Sequence, residues 1–387
     1  MVAKDNTSAP LGTRSSRRRM ALWIAPVLVV GAITGAGIAV AVHSPRAGTT
    51  STTTTSAPPA TTTTTAPTVT LSSVGDTELG DTPEVPSDSA AYLAPVKAAL
   101  AAPIVFGNLE GTITNATTSK CAPTSSECYA FRVPTSFASV YRAVGFTILN
   151  AANNHSYDFG AQGAIDTTNA LRAAGIAQAG LPGEIAVVSD AGVKVAFVDF
   201  APYTNTNDLL NFPVAAKLIA QAKRLASVVV VYMHAGAEGE VADHVTRATE
   251  TYVGEDRGNP CAFAHAAIDD DADLVIASGP YVLRGMEWYQ GRLIAYSLGD
   301  FANFHDFSAS GDLDLSAILH ATMSATMSAT GAFISASFTS LRLDSSGQPF
   351  VDPTHASAVF VNQLSKEDFG PQAAIIASNG SVEQLGG

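Results

Sequence analysis

From Val69 onward, short apolar runs rich in Val, Ile and Phe alternate with amphipathic stretches, and no other feature constrains the fold as strongly. The alternation predicts strands over residues 69–74, 103–106, 146–149, 193–200, 228–233, 274–277 and 293–297, with helices over 90–101, 135–143, 160–174, 214–225 and 262–269. Such interleaving is the pattern of an α/β domain. In the third helix Ala161, Ala164, Ile165, Thr168 and Leu171 share one side, the stripe expected to pack on a sheet. Beyond His320 the pattern changes to small residues with a tandem ATMS and then to alternation over 332–343, which predicts late antiparallel strands of the same domain.

Unusual polar residues gather where the predicted strands end. Gly75-Asp76 follows the first, residues 107–111 (GNLEG) the second, Asn153-Asn154-His155 the third, His234 the run over 228–233, and Ser278-Gly279-Pro280-Tyr281 the run over 274–277. Open α/β sheets bind ligands beyond the carboxyl ends of their strands, so five clusters should converge on one edge. Asp76, Glu110, Asn154, His155 and His234 offer carboxylate, amide and imidazole donors. These suit Mn, Fe, Zn or Mg and differ from a thiolate site. Two such cations can clamp a phosphate and activate water without a protein nucleophile. A helix starting near Gly160 would aim its free N–H groups at the same edge. Taken singly, a Gly-Asp after a strand reads as a turn, Asn154-His155 as a cap or buried pair, and Glu238 and Glu240 as solvated. His244, His265, His305, His320 and His355 lack a comparable setting and read as surface or packing histidines.

Residues 1–67 set the compartment. They carry Lys4, Arg14, Arg17, Arg18, Arg19 and Arg46 against the single acid Asp5, a +5 segment, which leaves −18 of the overall −13 on the rest of the chain. So acidic a body argues against nucleic acid as a partner, because phosphate binding relies on clustered Lys and Arg. Residues 1–19 read as a basic cytoplasmic tail. The uncharged stretch 20–42 reads as a single transmembrane helix, with a cleaved signal peptide as the competing reading because Ala39-Val40-Ala41 resembles a cleavage site. The Thr/Pro-rich stretch within 43–67 reads as an extended linker, with or without O-glycosylation. This order puts 68–387 outside the cell as one domain. There a Cys121–Cys128 disulfide is expected to close the segment CAPTSSEC, leaving Cys261 as a small, half-buried residue with no activating neighbours.

The phrases VGDTELG (74–80), GNLEGTIT (107–114), FRVPTSFASVYRAVGFTILNAANNHSYDFG (131–160), YMHAGAE (232–238) and DADLVIASGPYVLRGMEWYQGRLIAYSLGDF (273–301) occur in this order. Together they resemble the bacterial capsule-synthesis family that includes the CapA/PgsA-type proteins of poly-γ-glutamate production, over nearly all of residues 68–370. The resemblance implies a two-sheet α/β/β/α sandwich similar to calcineurin-like metallophosphoesterases. It also implies metal positions at Asp76, Glu110, Asn154, His155 and His234, with His155, His234 and Asn154 as catalytic candidates. A pair of divalent cations follows, as do a cell-envelope polymer such as poly-γ-glutamate as partner and neighbouring capsule-synthesis membrane subunits.

Two departures from the family pattern matter. Tyr281 stands in SGPYVLRG where the family usually has histidine, and Asp300 stands in Gly299-Asp300-Phe301 where it usually has asparagine. A phenol of pKa near ~10 ligates only when deprotonated, so one metal position is expected to be weakened or empty. Asp300 could replace the lost donor or be a plain loop aspartate. Glu78, two residues after Asp76, could ligate or be merely exposed. Two functions therefore stand side by side: a membrane-anchored, outward-facing, metal-dependent hydrolase or transferase, and a non-catalytic polymer-binding or transport component with an eroded site.

Overall fold

The computed structural model describes residues 66–385, apart from 82, 123–127, 306–309 and 329–330. The expected tail (1–19), transmembrane helix (20–42) and nearly all of the linker (43–67) lie outside these residues. Among the described residues, no helix is long and apolar enough to cross a membrane.

Two large sheets carry the domain. The first runs Pro349–Val351, Gly331–Leu343, Leu315–Ser328, Thr68–Glu78, Ile104–Leu109, Ile148–Asn150, Ala177–Ala179, with Asp300–Asn303 also paired to Thr68–Glu78. The second runs Met286–Tyr289, Arg292–Ala295, Leu274–Ser278, Val228–His234, Val193–Ala201, Ala186–Asp190, with Asn207–Asp208 beside Val193–Ala201. The strands nearest the polar clusters are parallel in both sheets. The late strands Leu315–Ser328 and Gly331–Leu343 pair antiparallel, as the alternation over 332–343 predicts.

Three apolar layers fix the order of the elements. Leu71, Ile104 and Phe106 from the first sheet share one core with Val195, Phe197 and Tyr232 from the second, and the Phe106 and Phe197 rings stack at 5.1 Å. The two sheets therefore pack face to face, each such side chain contributing roughly 1.5–3 kcal/mol of transfer free energy. The opposite face of the first sheet buries Val74, Val105 and Leu149 against helices Ser89–Leu100, Ala138–Val144 and Gly160–Ala174. The opposite face of the second buries Val198, Val229 and Val231 against Phe212–Leu225 and Pro260–Asp269. This is the expected α/β/β/α sandwich. It explains why the central strands read as continuous apolar runs: both of their faces are covered.

Three details differ from expectation. The first strand does not stop at Gly75-Asp76 but continues through a bulge to Glu78, because Asp300–Asn303 takes up its edge. Gly75 permits this approach, since a Cβ there would lie 1.8 Å from the Gly299 carbonyl oxygen. The helix Gly160–Ala174 buries Gly163, Thr167 and Leu171 and leaves Ile165 54% exposed. It is rotated from the predicted stripe because Thr167 Oγ1 accepts a hydrogen bond from Ile113 N at 2.8 Å, a polar contact that outweighs one Ile methyl face. The helix Ala356–Phe369 was not expected, and its buried side includes Ser357 and Ser365, so its sequence carries little apolar periodicity.

Candidate metal centre

Backbone register builds the centre before any side chain is considered. In the first sheet Asp76 lies opposite Asn108, and Asn108 opposite Asn150. In the second, His234 lies opposite Ser278. Both rows sit at carboxyl ends of parallel strands, one on each sheet, and their side chains meet between the sheets. Glu110 follows Ile104–Leu109, while Asn154 and His155 follow Ile148–Asn150. The five predicted clusters do converge on one edge.

Ligand atoms of Asp76, Glu110 and His234 lie within 4.8 Å of one another, and all three residues are buried. His234 Nδ1 is 3.9 Å from Asp76 Oδ1 and 3.8 Å from Glu110 Oε2. His155 joins them through its Nε2, 3.8 Å from Glu110 Oε1. Asn154 does not face the carboxylates: its Oδ1 is 2.9 Å from His234 Nε2, orienting the ring from the solvent side.

Asn108 occupies the middle of the arrangement, a role the sequence reading did not assign. Its Oδ1 accepts from Asn150 Nδ2 at 2.6 Å and Asn153 Nδ2 at 2.8 Å. Its N–H groups must therefore point the other way, and Nδ2 donates to Asp76 Oδ1 at 2.6 Å and to Glu110 Oε2. The clue lay in the register: an asparagine inside an otherwise apolar strand, level with Asp76. Ser278 Oγ donates to Asp76 Oδ1 and Gly279 N to Asp76 Oδ2 at 3.0 Å. Gly279, at φ +112°, is confined to glycine because a Cβ would meet the His234 ring at 3.1 Å.

Burial dominates the electrostatics. It pushes Asp76 up to about 6 against the hydrogen bonds from Ser278, Asn108 and Gly279. Burial and then the Asp76 charge hold Glu110 well above the usual carboxylate range. Burial likewise lowers His155, and lowers His234 further with help from the Arg257 charge, so both rings are neutral donors.

Behind His155 stands a support that the sequence reading also missed. His155 Nδ1 is 2.8 Å from Asp158 Oδ2, and Asp158 in turn accepts from Phe131 N at 2.6 Å and pairs with Lys120 at 2.6 Å. A carboxylate behind a ligating imidazole fixes its tautomer, leaving the Nε2 lone pair toward Glu110. The His-x-x-Asp spacing within ANNHSYDFG was the available signal. A cavity of about 450 Å³ opens over Asn154 and His155, lined also by Lys120, Arg257, Tyr252 and Tyr281.

Glu238 is not solvated but pairs with the buried Arg257 at 2.6 Å. Glu78 is buried rather than exposed, and its Oε1 accepts from Gly80 N at 2.5 Å. Asp300 is buried level with Asp76, yet its Oδ2 accepts from Asn303 Nδ2 at 2.9 Å, and it is not among the clustered ligand atoms. Tyr281 lines the cavity at φ +65°, a backbone state in which histidine is also tolerated. Cys121 and Cys128 are joined as expected. His265 is no ordinary surface histidine, and Cys261 is buried beside it.

The donor set fits a divalent cation. Two buried carboxylates converge with two neutral imidazoles, and Glu110 Oε1 has no hydrogen-bond partner among the described residues. The family model for the bacterial capsule synthesis protein PGA_cap matches residues 70–305, which span every strand of this centre. The chain belongs to that family. Among curated relatives of this PGA_cap chain, the PGA biosynthesis protein CapA of Bacillus subtilis (strain 168) is 31% identical over 179 residues, 42% of this chain and 44% of that one. The capsule biosynthesis protein CapA of Bacillus anthracis is 31% identical over 180 residues, 41% of each chain. The match thus spans less than half the length of either relative. Among solved structures, a putative 5'-nucleotidase from Staphylococcus aureus aligns over 77% of this chain and 58% of its own, at 12% identity and a TM-score of 0.39.

Proposed function

We propose that this PGA_cap chain is a membrane-anchored, extracellular component of capsule or poly-γ-glutamate biosynthesis with a metallophosphatase-like, metal-dependent hydrolase or transferase site. The observation that carries the metal reading is the buried convergence of Asp76, Glu110 and His234, with one Glu110 oxygen lacking a hydrogen-bond partner among the described residues. The polymer class rests on the family and on the two CapA relatives named for PGA or capsule biosynthesis. The anchor and the outward orientation rest on the basic cluster before residues 20–42.

In this reading Asp76, Glu110, His155 and His234 hold the cation, which is Mn, Fe, Zn or Mg. When bound, such an ion supplies Lewis acidity toward a phosphoryl or carbonyl oxygen. The protein's own residues prepare the site. Asp158 keeps the His155 proton on Nδ1, Asn154 holds the His234 ring from the solvent side, and Asn108 fixes the spacing of the two carboxylates. Lys120 and Arg257 are the cations of the cavity, and each is already balanced, by Asp158 and Glu238. With the body acidic as well, a polyanion such as poly-γ-glutamate is drawn in where metal ions bridge the two.

The test is manganese binding by the full-length protein after chelator treatment, read by titration calorimetry, wild type beside His155→Ala and His234→Ala. Loss in both variants is expected, and retention in both removes the site. A second reading, a polymer-binding or transport component with an eroded centre, is favoured by one observation: the phenol of Tyr281 on the cavity wall beside His155. Tyr281→His would raise metal affinity strongly if erosion is correct and leave it unchanged if the centre never used this position.

A further inference from the structure

A second group of donors lies in residues the centre above does not use. Pro260–Asp269 is a well-started helix: Asn259 Oδ1 accepts from Ala262 N at 2.9 Å and Pro260 opens the first turn. Cys261 and His265 are therefore four residues apart on one helical side. Glu287 reaches them from the strand Met286–Tyr289. Ligand atoms of all three lie within 4.8 Å of one another. His265 Nε2 is 4.0 Å from Cys261 Sγ and 2.8 Å from Glu287 Oε2. Donor atoms around a tetrahedral zinc ion stand ~3.3–3.6 Å apart, given bond lengths of about 2.0–2.3 Å, so the two separations bracket what such an ion requires.

The geometry points to a zinc site formed by the Cys261 thiolate, the His265 imidazole and the Glu287 carboxylate, with a fourth position open to water.

The surroundings match what such ligands need. Tyr296 OH donates to Glu287 Oε2 at 2.7 Å, and Arg247 Nη1 donates to Cys261 Sγ at 3.4 Å. The His265 ring stacks on Tyr289 at 3.8 Å and 6° between planes, which fixes its direction. Such outer contacts orient ligands and tune their basicity. Cys261 and Glu287 are buried, whereas the His265 side chain is 21% exposed, so solvent reaches the group from one side. Two anionic donors balance a divalent ion, and binding releases the thiol proton together with the proton that His265 Nε2 shares with Glu287. A thiolate selects zinc over the hard cations suited to Asp76 and Glu110, so one chain would sort two metals by donor chemistry.

Cobalt(II) separates the two sites, because thiolate ligation gives an intense near-ultraviolet charge-transfer band that oxygen and nitrogen donors do not. Of the three cysteines, Cys121 and Cys128 are bonded to each other, so in the full-length, non-reduced protein the band reports Cys261 alone. We expect the band to level off at the intensity of a single thiolate ligand, to be bleached by added zinc and to vanish in Cys261→Ser. In His265→Gln, zinc affinity by competition should fall at least about tenfold. Wild-type protein that shows only weak ligand-field absorption at saturating cobalt overturns the site without reference to any variant. A band that persists in Cys261→Ser does the same.

Discussion

The two donor clusters are built in opposite ways. Around Asp76, Glu110 and His234 the protein concentrates acceptors, buries them and leaves a carboxylate oxygen without a hydrogen-bond partner among the described residues. Around Cys261, His265 and Glu287 each acceptor already receives a proton, from Arg247, His265 or Tyr296. The first cluster spans both sheets and is assembled by long-range register. The second comes from one helical turn and an adjacent strand. A centre held at the junction of two sheets is positioned by strand register, which brings two buried carboxylates together. A centre on one turn is set by local spacing and is quiet until an ion replaces its protons.

This contrast can be broken in order of effect. Removing an imidazole donor from the sheet junction, His234→Ala, should weaken manganese binding by roughly a hundredfold or more while leaving the thiolate-to-cobalt band intact, as titration calorimetry and absorption can check together. If both signals fall, the clusters are not independent.

Stability should also depend on pH through the buried carboxylates of the sheet junction. The Asp76 carboxyl sits at about 6 in the folded protein and near 3.8 unfolded, so the fold binds the extra proton and stability falls as pH rises through that window. In chelator-treated protein, denaturant titration from pH 4 to 7 should give Asp76→Asn a gain over wild type that grows by on the order of 2–3 kcal/mol. The lowered His155 and His234 act with the opposite sign and are common to both proteins, whereas Glu110 loses the Asp76 charge in the variant, so the difference reports the carboxylate pair as a unit. A flat difference would mean that the carboxylates are not poised.

Groups behind the ligands should have smaller effects. Asp158→Asn removes the support behind His155 without touching a ligand, and should cost about 10–100-fold in metal affinity at the sheet junction. Tyr296→Phe removes the hydroxyl behind Glu287 and should weaken zinc competition at the helical cluster by roughly tenfold or less, with no change at the junction.

Much of the junction was legible in the sequence because its residues fall where predictable strands end. Asp76, Glu110, His155 and His234 needed only strand assignment and parallel pairing to be brought together. Asn108 was not legible, because its role depends on cross-strand register with Asp76 and Asn150, which periodicity does not encode. Glu238 looked like a solvated carboxylate because Arg257, its partner, is 19 residues away. His265 was overlooked for a different reason: its partner Cys261 is on its own helix, but Glu287 belongs to a strand whose pairing was not predicted. The helix Ala356–Phe369 escaped because serines occupy part of its buried side.

The clasp formed by Cys121 and Cys128 has a consequence for this chemistry. Lys120, adjacent to it, anchors the carboxylate behind His155 and also donates to the Asn154 carbonyl oxygen at 3.3 Å. A reducing medium that opens the clasp would slacken the loop bearing that ammonium group. The disulfide is thereby tied to the sheet junction through Lys120, which meets Asp158 and the Asn154 backbone rather than the clustered ligand atoms.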